Sequence, residues 1–161
     1  MSMDDVLAKP GHLFRRMQQI AVAIFIDECA SFDLTPVQFS ALVAIREHRD
    51  VDATRLSALI AFDRSTLGDV IERLEAKGLV LRRQSREDRR TKVLRLSAKA
   101  RKLLREVMPH VDRAQDRMLS PLEPDERYRL MHLLERLVEA NNEFSRAPLG
   151  ENAASENRRA G

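Results

Sequence analysis

Two apolar stretches of helical spacing stand only three residues apart, and that separation restricts the fold more than any other feature of the chain. Residues 53–60 carry Leu56, Leu59 and Ile60, and residues 64–77 carry Leu67, Val70, Ile71 and Leu74. These spacings put each set on one side of a helix. Ala61-Phe62-Asp63 between them leaves room only for a tight turn, so the pair predicts a helix-turn-helix. Asp63 is an acceptor suited to cap the second helix, and Gly78 is suited to end it. Beyond Gly78 lie two β-prone stretches, Leu79-Val80-Leu81 and Val93-Leu94-Arg95-Leu96, on either side of a charged loop at 82–92. They predict a hairpin, and so a wing beside the second helix.

The flanks read as longer helices. Residues 11–31 place Leu13, Met17, Ile20, Ala21, Ile24 and Phe25 at helical intervals, and Thr35-Pro36 then opens a second helix carrying Phe39, Leu42, Val43 and Ile45. After the hairpin, Ser97 is placed to cap a long helix with Ala100, Leu103, Leu104, Val107, Met108, Val111 and Met118 along one side, and Pro109 is expected to kink it. Glu123-Pro124-Asp125-Glu126 sets anionic groups at the positive end of a last helix, whose stripe is Leu130, Leu133, Leu134, Leu137 and Val138. From 147 to 161 no apolar period survives, and disorder is expected there.

The expected fold class is mainly α with a small β-hairpin wing. Residues 34–97 form the winged helix-turn-helix lobe, with helices from 11–33 and 98–146 flanking it. The apolar stripes of the first and last helices have no obvious partner within so small a body. Packing across a two-fold axis would bury them, so 11–33 and 98–146 are read as dimerisation helices and the chain as a homodimer. Purely intramolecular packing is the competing arrangement.

The net charge of +3 conceals an uneven distribution. Residues 64–105 hold 14 Lys/Arg against 5 Asp/Glu, while the remainder holds 14 against 20. A basic segment inside an otherwise acidic chain fits a polyanion bound at one place, because phosphate neutralisation needs clustered cations. The first turn of the second short helix offers Arg64, Ser65 and Thr66 to base edges and phosphates, followed on its outer side by Gly68, Asp69 and Arg73. Short hydroxyl side chains permit close approach, and Gly68 removes a side chain where the helix would lie nearest the bases. Asp69 is open to two readings, an acceptor for a cytosine amino group or a carboxylate that faces solvent or pairs with arginine. Arg86, Arg89, Arg90 and Lys92 gather in the hairpin loop together with Arg82 and Arg83. An extended wing can lay a guanidinium into the minor groove, and Asp88 is placed to hold Arg90 in the required rotamer.

Other classes find little support. No apolar run reaches membrane-spanning length and no secretion signal opens the chain, so a cytoplasmic protein with no membrane partner is expected. The single cysteine, Cys29, cannot form an internal disulfide, and four scattered histidines show no zinc spacing. No metal or other cofactor is expected. Nor is there a nucleophile and base at catalytic spacing, a pair of catalytic carboxylates or a phosphate-binding glycine loop, and an enzyme is not expected.

Asp63-Arg64-Ser65-Thr66-Leu67, then Arg73-Leu74-Glu75-Ala76-Lys77-Gly78-Leu79-Val80, then Asp88-Arg89-Arg90 ahead of Leu94-Arg95-Leu96-Ser97, resemble the signatures of the MarR family of regulators in the same order. The likeness runs over about residues 11–144 and takes in Leu34-Thr35-Pro36-Val37-Gln38-Phe39. It implies a homodimer whose two winged helices read a pseudo-palindromic duplex operator, with Arg90 in the position of the family's wing arginine. Two departures stand out: Gly68-Asp69 replaces longer polar residues, and Ala100 stands where glycine is common.

The resemblance also implies a crevice for a small anionic aromatic ligand between the dimerisation helices and the lobe. His12, Arg15, Arg16 and Gln19 on the first helix are the candidate ligand-binding residues. An arginine beside a histidine and a glutamine suits a carboxylate and a ring hydroxyl, although each residue alone reads better as a surface group or an interhelical salt bridge, and only the cluster points to a ligand. The stretch at 10–20 is similar to the opening of family members that regulate aromatic-acid breakdown, including those answering to hydroxynicotinate or hydroxycinnamate compounds. The function expected is therefore a repressor of an aromatic-acid catabolic operon, released by a small aromatic carboxylate or its thioester. The alternative is a thiol-based oxidant sensor using Cys29, since peroxide-sensing relatives carry a cysteine on the first helix. Asp27 and Glu28 adjoin that thiol and would raise its pKa.

Overall fold

The computed structural model describes residues 2–48, 50–85, 90–145 and 147–148. The helices are α1 (Met3–Leu7), α2 (Pro10–Glu28), α3 (Pro36–Glu47), α4 (Ala53–Leu59) and α5 (Arg64–Ala76), followed after the hairpin by α6 (Ala98–Leu119) and α7 (Pro124–Ala140). Strands β1 (Val80–Gln84) and β2 (Lys92–Leu96) pair antiparallel, with Val80 opposite Leu96 and Gln84 opposite Lys92. The expected class, mainly helical with one small hairpin, is the class observed.

Local chemistry fixes the boundaries. Thr35 and Gln38 form a reciprocal capping box at α3, each side-chain oxygen accepting the other's backbone N–H at 3.3 Å. Asp52 caps α4, Asp63 caps α5 and Ser97 caps α6 through acceptor contacts of 2.7, 2.9 and 3.0 Å. Gly78 leaves α5 with φ of +68°, a conformation that other residues adopt only at a cost. Pro109 lies exposed within α6, which runs through it as a single helix.

Three boundaries differ from expectation. A short extra helix, α1, precedes α2, and α2 gives way at Glu28 to a 3-10 turn at Ala30–Phe32. β1 runs on through Arg82, Arg83 and Gln84, because its ladder to β2 is made by main-chain groups and does not require apolar side chains. Arg82 and Arg83 are thus strand residues, not loop residues. The hairpin also gains a bridge from the loop before α4, where the Leu94 N–H donates to the Val51 carbonyl at 2.7 Å. The segment 149–161, expected to be disordered, lies outside the described residues.

The core sits in the lobe and beneath α6. Leu42, Leu56, Leu67, Leu74 and Leu104 are wholly buried, with Val51, Leu79, Val80 and Val107 beside them. Each such side chain contributes about 1.5–3 kcal/mol through removal from water. α7 has no buried residue, and it exposes Met131, Leu133, Leu137 and Val138. The first half of α2 likewise exposes Leu13, Phe14, Met17 and Ile20.

Candidate nucleic-acid interface

α5 turns Leu67, Ile71 and Leu74 into the core, so Arg64, Ser65, Thr66, Gly68, Asp69, Glu72 and Arg73 are left on its outer side. All six sequence-predicted residues of this helix are therefore exposed together, with the acid Glu72 among them. The pose of α5 is set by its turn. The Ser57 hydroxyl donates to the Phe62 carbonyl at 2.7 Å, and the Phe62 N–H donates back to the Ser57 carbonyl at 3.1 Å. Thr66 gives its hydroxyl proton to the Asp63 carbonyl at 3.1 Å, so it faces outward as an acceptor. Nothing stands within 4 Å of where a Cβ on Gly68 would lie.

Charge pairing sorts the basic segment. The Arg82 Nε–H is shared between both Glu75 oxygens at 3.0 and 2.9 Å, tying β1 to α5. Arg95 pairs with Asp50 and Lys77 with Asp33. Arg64, Arg73, Arg83 and Lys92 are exposed and make no ion pair among the described residues. Asp69 makes none either, which leaves the solvent-facing carboxylate of its two readings and a free acceptor toward a ligand. Arg90 is exposed at the tip-side end of the hairpin. Arg86, Asp88 and Arg89 lie outside the described residues. Within the lobe, cations not held by neighbouring acids thus remain on α5 and along the hairpin, the places where phosphates would be met. The Glu75–Arg82 and Asp50–Arg95 pairs had no signal in the sequence, since each depends on a helix or loop docking against a strand.

A second group lies on α2. One guanidinium nitrogen of Arg15 donates to Gln19 Oε1 at 3.4 Å and another faces His12 Nδ1 at 3.5 Å. An arginine can only donate, so in this contact Nδ1 is the acceptor. The other ring nitrogen, Nε2, is buried and has no hydrogen-bond partner among the described residues. A buried polar group left so costs about 1–3 kcal/mol. Arg16 is exposed and stands outside this set. A cavity of about 120 Å³ lies between α2, α3 and α6, lined by Gln18, Val22, Phe25, Pro36, Ala114 and Met118 among others. His12, Arg15, Arg16 and Gln19 are not among the residues that line it; Arg15 lies one turn before Gln18 on α2, at the end of the lining side.

Cys29 is 1% exposed. Burial pushes its thiol up from the usual value, the Glu28 charge pushes it further, and Arg113 opposes them. Asp27, which pairs with Arg117, is not among the charges that move it. Little thiolate is present at neutral pH in such a site, which is the reverse of what an oxidant sensor requires. Among the described residues no group of three or more His, Cys, Asp or Glu is placed to hold a metal, and no helix is long and apolar enough to cross a membrane.

Helix-turn-helix, hairpin and flanking helices together define a winged-helix protein. The family model that matches is the MarR family, over residues 34–92. Over 137 residues the chain is 29% identical to the HTH-type transcriptional repressor NicR of Pseudomonas putida, covering 85% of this chain and 87% of that protein. Among solved structures, Bordetella bronchiseptica BpsR, studied for regulation of its DNA binding by 6-hydroxynicotinic acid, is 31% identical with a TM-score of 0.76, covering 81% of this chain and 94% of that one. The transcriptional repressor CouR, bound to a 23-mer DNA duplex, is 27% identical with a TM-score of 0.77, covering 86% and 98%. The chain belongs to the MarR family and is a transcriptional regulator of the MarR type.

Proposed function

We propose that the protein is a homodimeric repressor that binds a pseudo-palindromic duplex operator and releases it when a small aromatic carboxylate, or its thioester, enters the cavity beside α2. The observation that carries the DNA reading is the sorting of charge. Within the lobe, Lys77, Arg82 and Arg95 are matched by acids, whereas Arg64 and Arg73 on α5 and Lys92 on the hairpin stand exposed without an ion pair among the described residues. α5 enters the major groove, with Arg64, Ser65, Thr66, Gly68, Asp69 and Arg73 toward bases and phosphates. Arg90 reaches the minor groove and Lys92 a phosphate, with Arg86 and Arg89 as further wing contacts and Asp88 orienting Arg90. The flanking helices assemble two copies, which buries the apolar side chains of α7 and of the first half of α2.

The effector reading rests on Arg15 and His12. The guanidinium suits a carboxylate, the His12 ring lies beside it, and the cavity one turn further along α2 is about the size of one aromatic ring. NicR, a transcriptional repressor, and BpsR, with its DNA binding regulated by 6-hydroxynicotinic acid, support that ligand class. The function is binding rather than catalysis, exercised in the cytoplasm where the operator is.

Fluorescence anisotropy against labelled fragments from upstream of the protein's own gene tests both parts. Arg90→Ala is expected to weaken binding by about 1–3 kcal/mol and to lower the salt slope. Hydroxybenzoates, hydroxycinnamates and hydroxynicotinates are then titrated into the complex. Release by at least one of them, lost in Arg15→Ala, is the expected result. No retention of any fragment at low salt would sink the regulator mechanism, and release unaffected by Arg15→Ala would sink the effector site.

A further inference from the structure

We infer that Lys77 is a positioning residue that fixes the recognition helix to the corner between α2 and α3; this rests on the operator-binding reading above. Lys77 immediately follows α5, and its side chain crosses to a segment 44 residues earlier. An ammonium carries three protons, and three oxygens meet this one. They are the Asp33 carbonyl, Asp33 Oδ2 at 2.9 Å and Gln38 Oε1 at 3.3 Å. The two Asp33 oxygens belong to the turn that leads from α2 into α3, and Gln38 to the first turn of α3. Asp33 holds a left-handed backbone there, with φ of 49°. Gln38 is 4% exposed, and its Oε1 also accepts from the Thr35 N–H at 3.3 Å. On the other side, Lys99 from α6 donates to the Lys77 carbonyl at 2.9 Å, a cation at the negative end of α5. The last turn of the reader is therefore lashed to α6 and to the corner that follows α2.

The arrangement separates Lys77 from the cations around it. Its protons are all used within the chain, so it contributes to DNA binding through the pose of α5 and not by meeting a phosphate. Asp33 has a side chain 90% exposed, and an ion pair so placed adds little to overall stability. Its effect lies in where α5 sits relative to α2 and α3.

Lys77→Met and Asp33→Asn test this in the full-length chain. Asparagine tolerates the left-handed backbone as well as aspartate does, so the second variant keeps the fold. Removing an acid near DNA would by charge alone tighten binding, whereas loss of positioning weakens it. Both variants are expected to bind the operator roughly fivefold more weakly, with the salt slope of the parent. Amide exchange in the last turn of α5, read without DNA, is expected to quicken in both while α7 is unaffected. Unchanged or tighter binding by Asp33→Asn, a salt slope lowered by about one in Lys77→Met, or unaltered exchange overturns the inference. A parent chain that retains no fragment refutes the regulator mechanism instead, and the exchange measurement then decides the role of Lys77 by itself.

Discussion

The lobe from α3 to β2 and the helices that flank it bury their apolar residues in different ways. In the lobe, Leu42, Leu56, Leu67 and Leu74 lose all contact with solvent inside one chain. In α7, no residue does, although its apolar residues recur at the same helical spacing. The hydrophobic pattern is thus equally strong in both places, but only the lobe satisfies it alone. A pattern in the sequence says that a face will be covered and not by which chain.

That contrast breaks first if the lobe is less self-sufficient than its burial suggests. Leu74→Ala is expected to destabilise the protein by about 2–5 kcal/mol, seen as a lower urea midpoint, because the void forms where nothing can collapse into it. A loss below 1 kcal/mol would mean that the core is loose. Next, Leu133→Glu with Leu137→Glu places two charges on the uncovered side of α7. Sedimentation is expected to show monomer where the parent is dimer, with the subunit affinity reduced by about 2 kcal/mol or more and the helical circular dichroism of the lobe retained. A dimer of parental affinity would assign the second interface elsewhere. Smallest is Gly68→Ala, which replaces a poor helix former at a site with open space around it. Thermal stability is expected to rise by the equivalent of about 0.4–1 kcal/mol while operator binding falls. Stability and affinity rising together would show that nothing approaches the helix at Gly68.

Much of the lobe could be read directly because its signals are local. Asp63, Gly78 and Ser97 mark helix ends by chemistry confined to a few neighbours, and the structure uses each as expected. α1 leaves no apolar period in the sequence although Ser2 and Asp5 form a capping box, because five residues are too few to show one. The longer β1 and the bridge from Val51 depend on main-chain pairing, which leaves no mark on side-chain type. At the candidate site, the exposed residues of α5 followed from its apolar stripe, but the partners of Arg82, Arg95 and Lys77 did not. Each joins residues brought near only by tertiary packing. Counting arginines therefore overstated the positive charge available to a ligand, since Arg82 and Arg95 are already matched.

The contact between Arg82 and Glu75 has a mechanical consequence. With one N–H held by both oxygens of the carboxylate, hairpin and α5 are joined as two jaws on a single handle. In the operator complex proposed above, a half-site is then gauged as one indivisible length. An extra base pair slipped inside it misaligns both jaws together, whereas one slipped between the halves has only to be absorbed where the two copies meet.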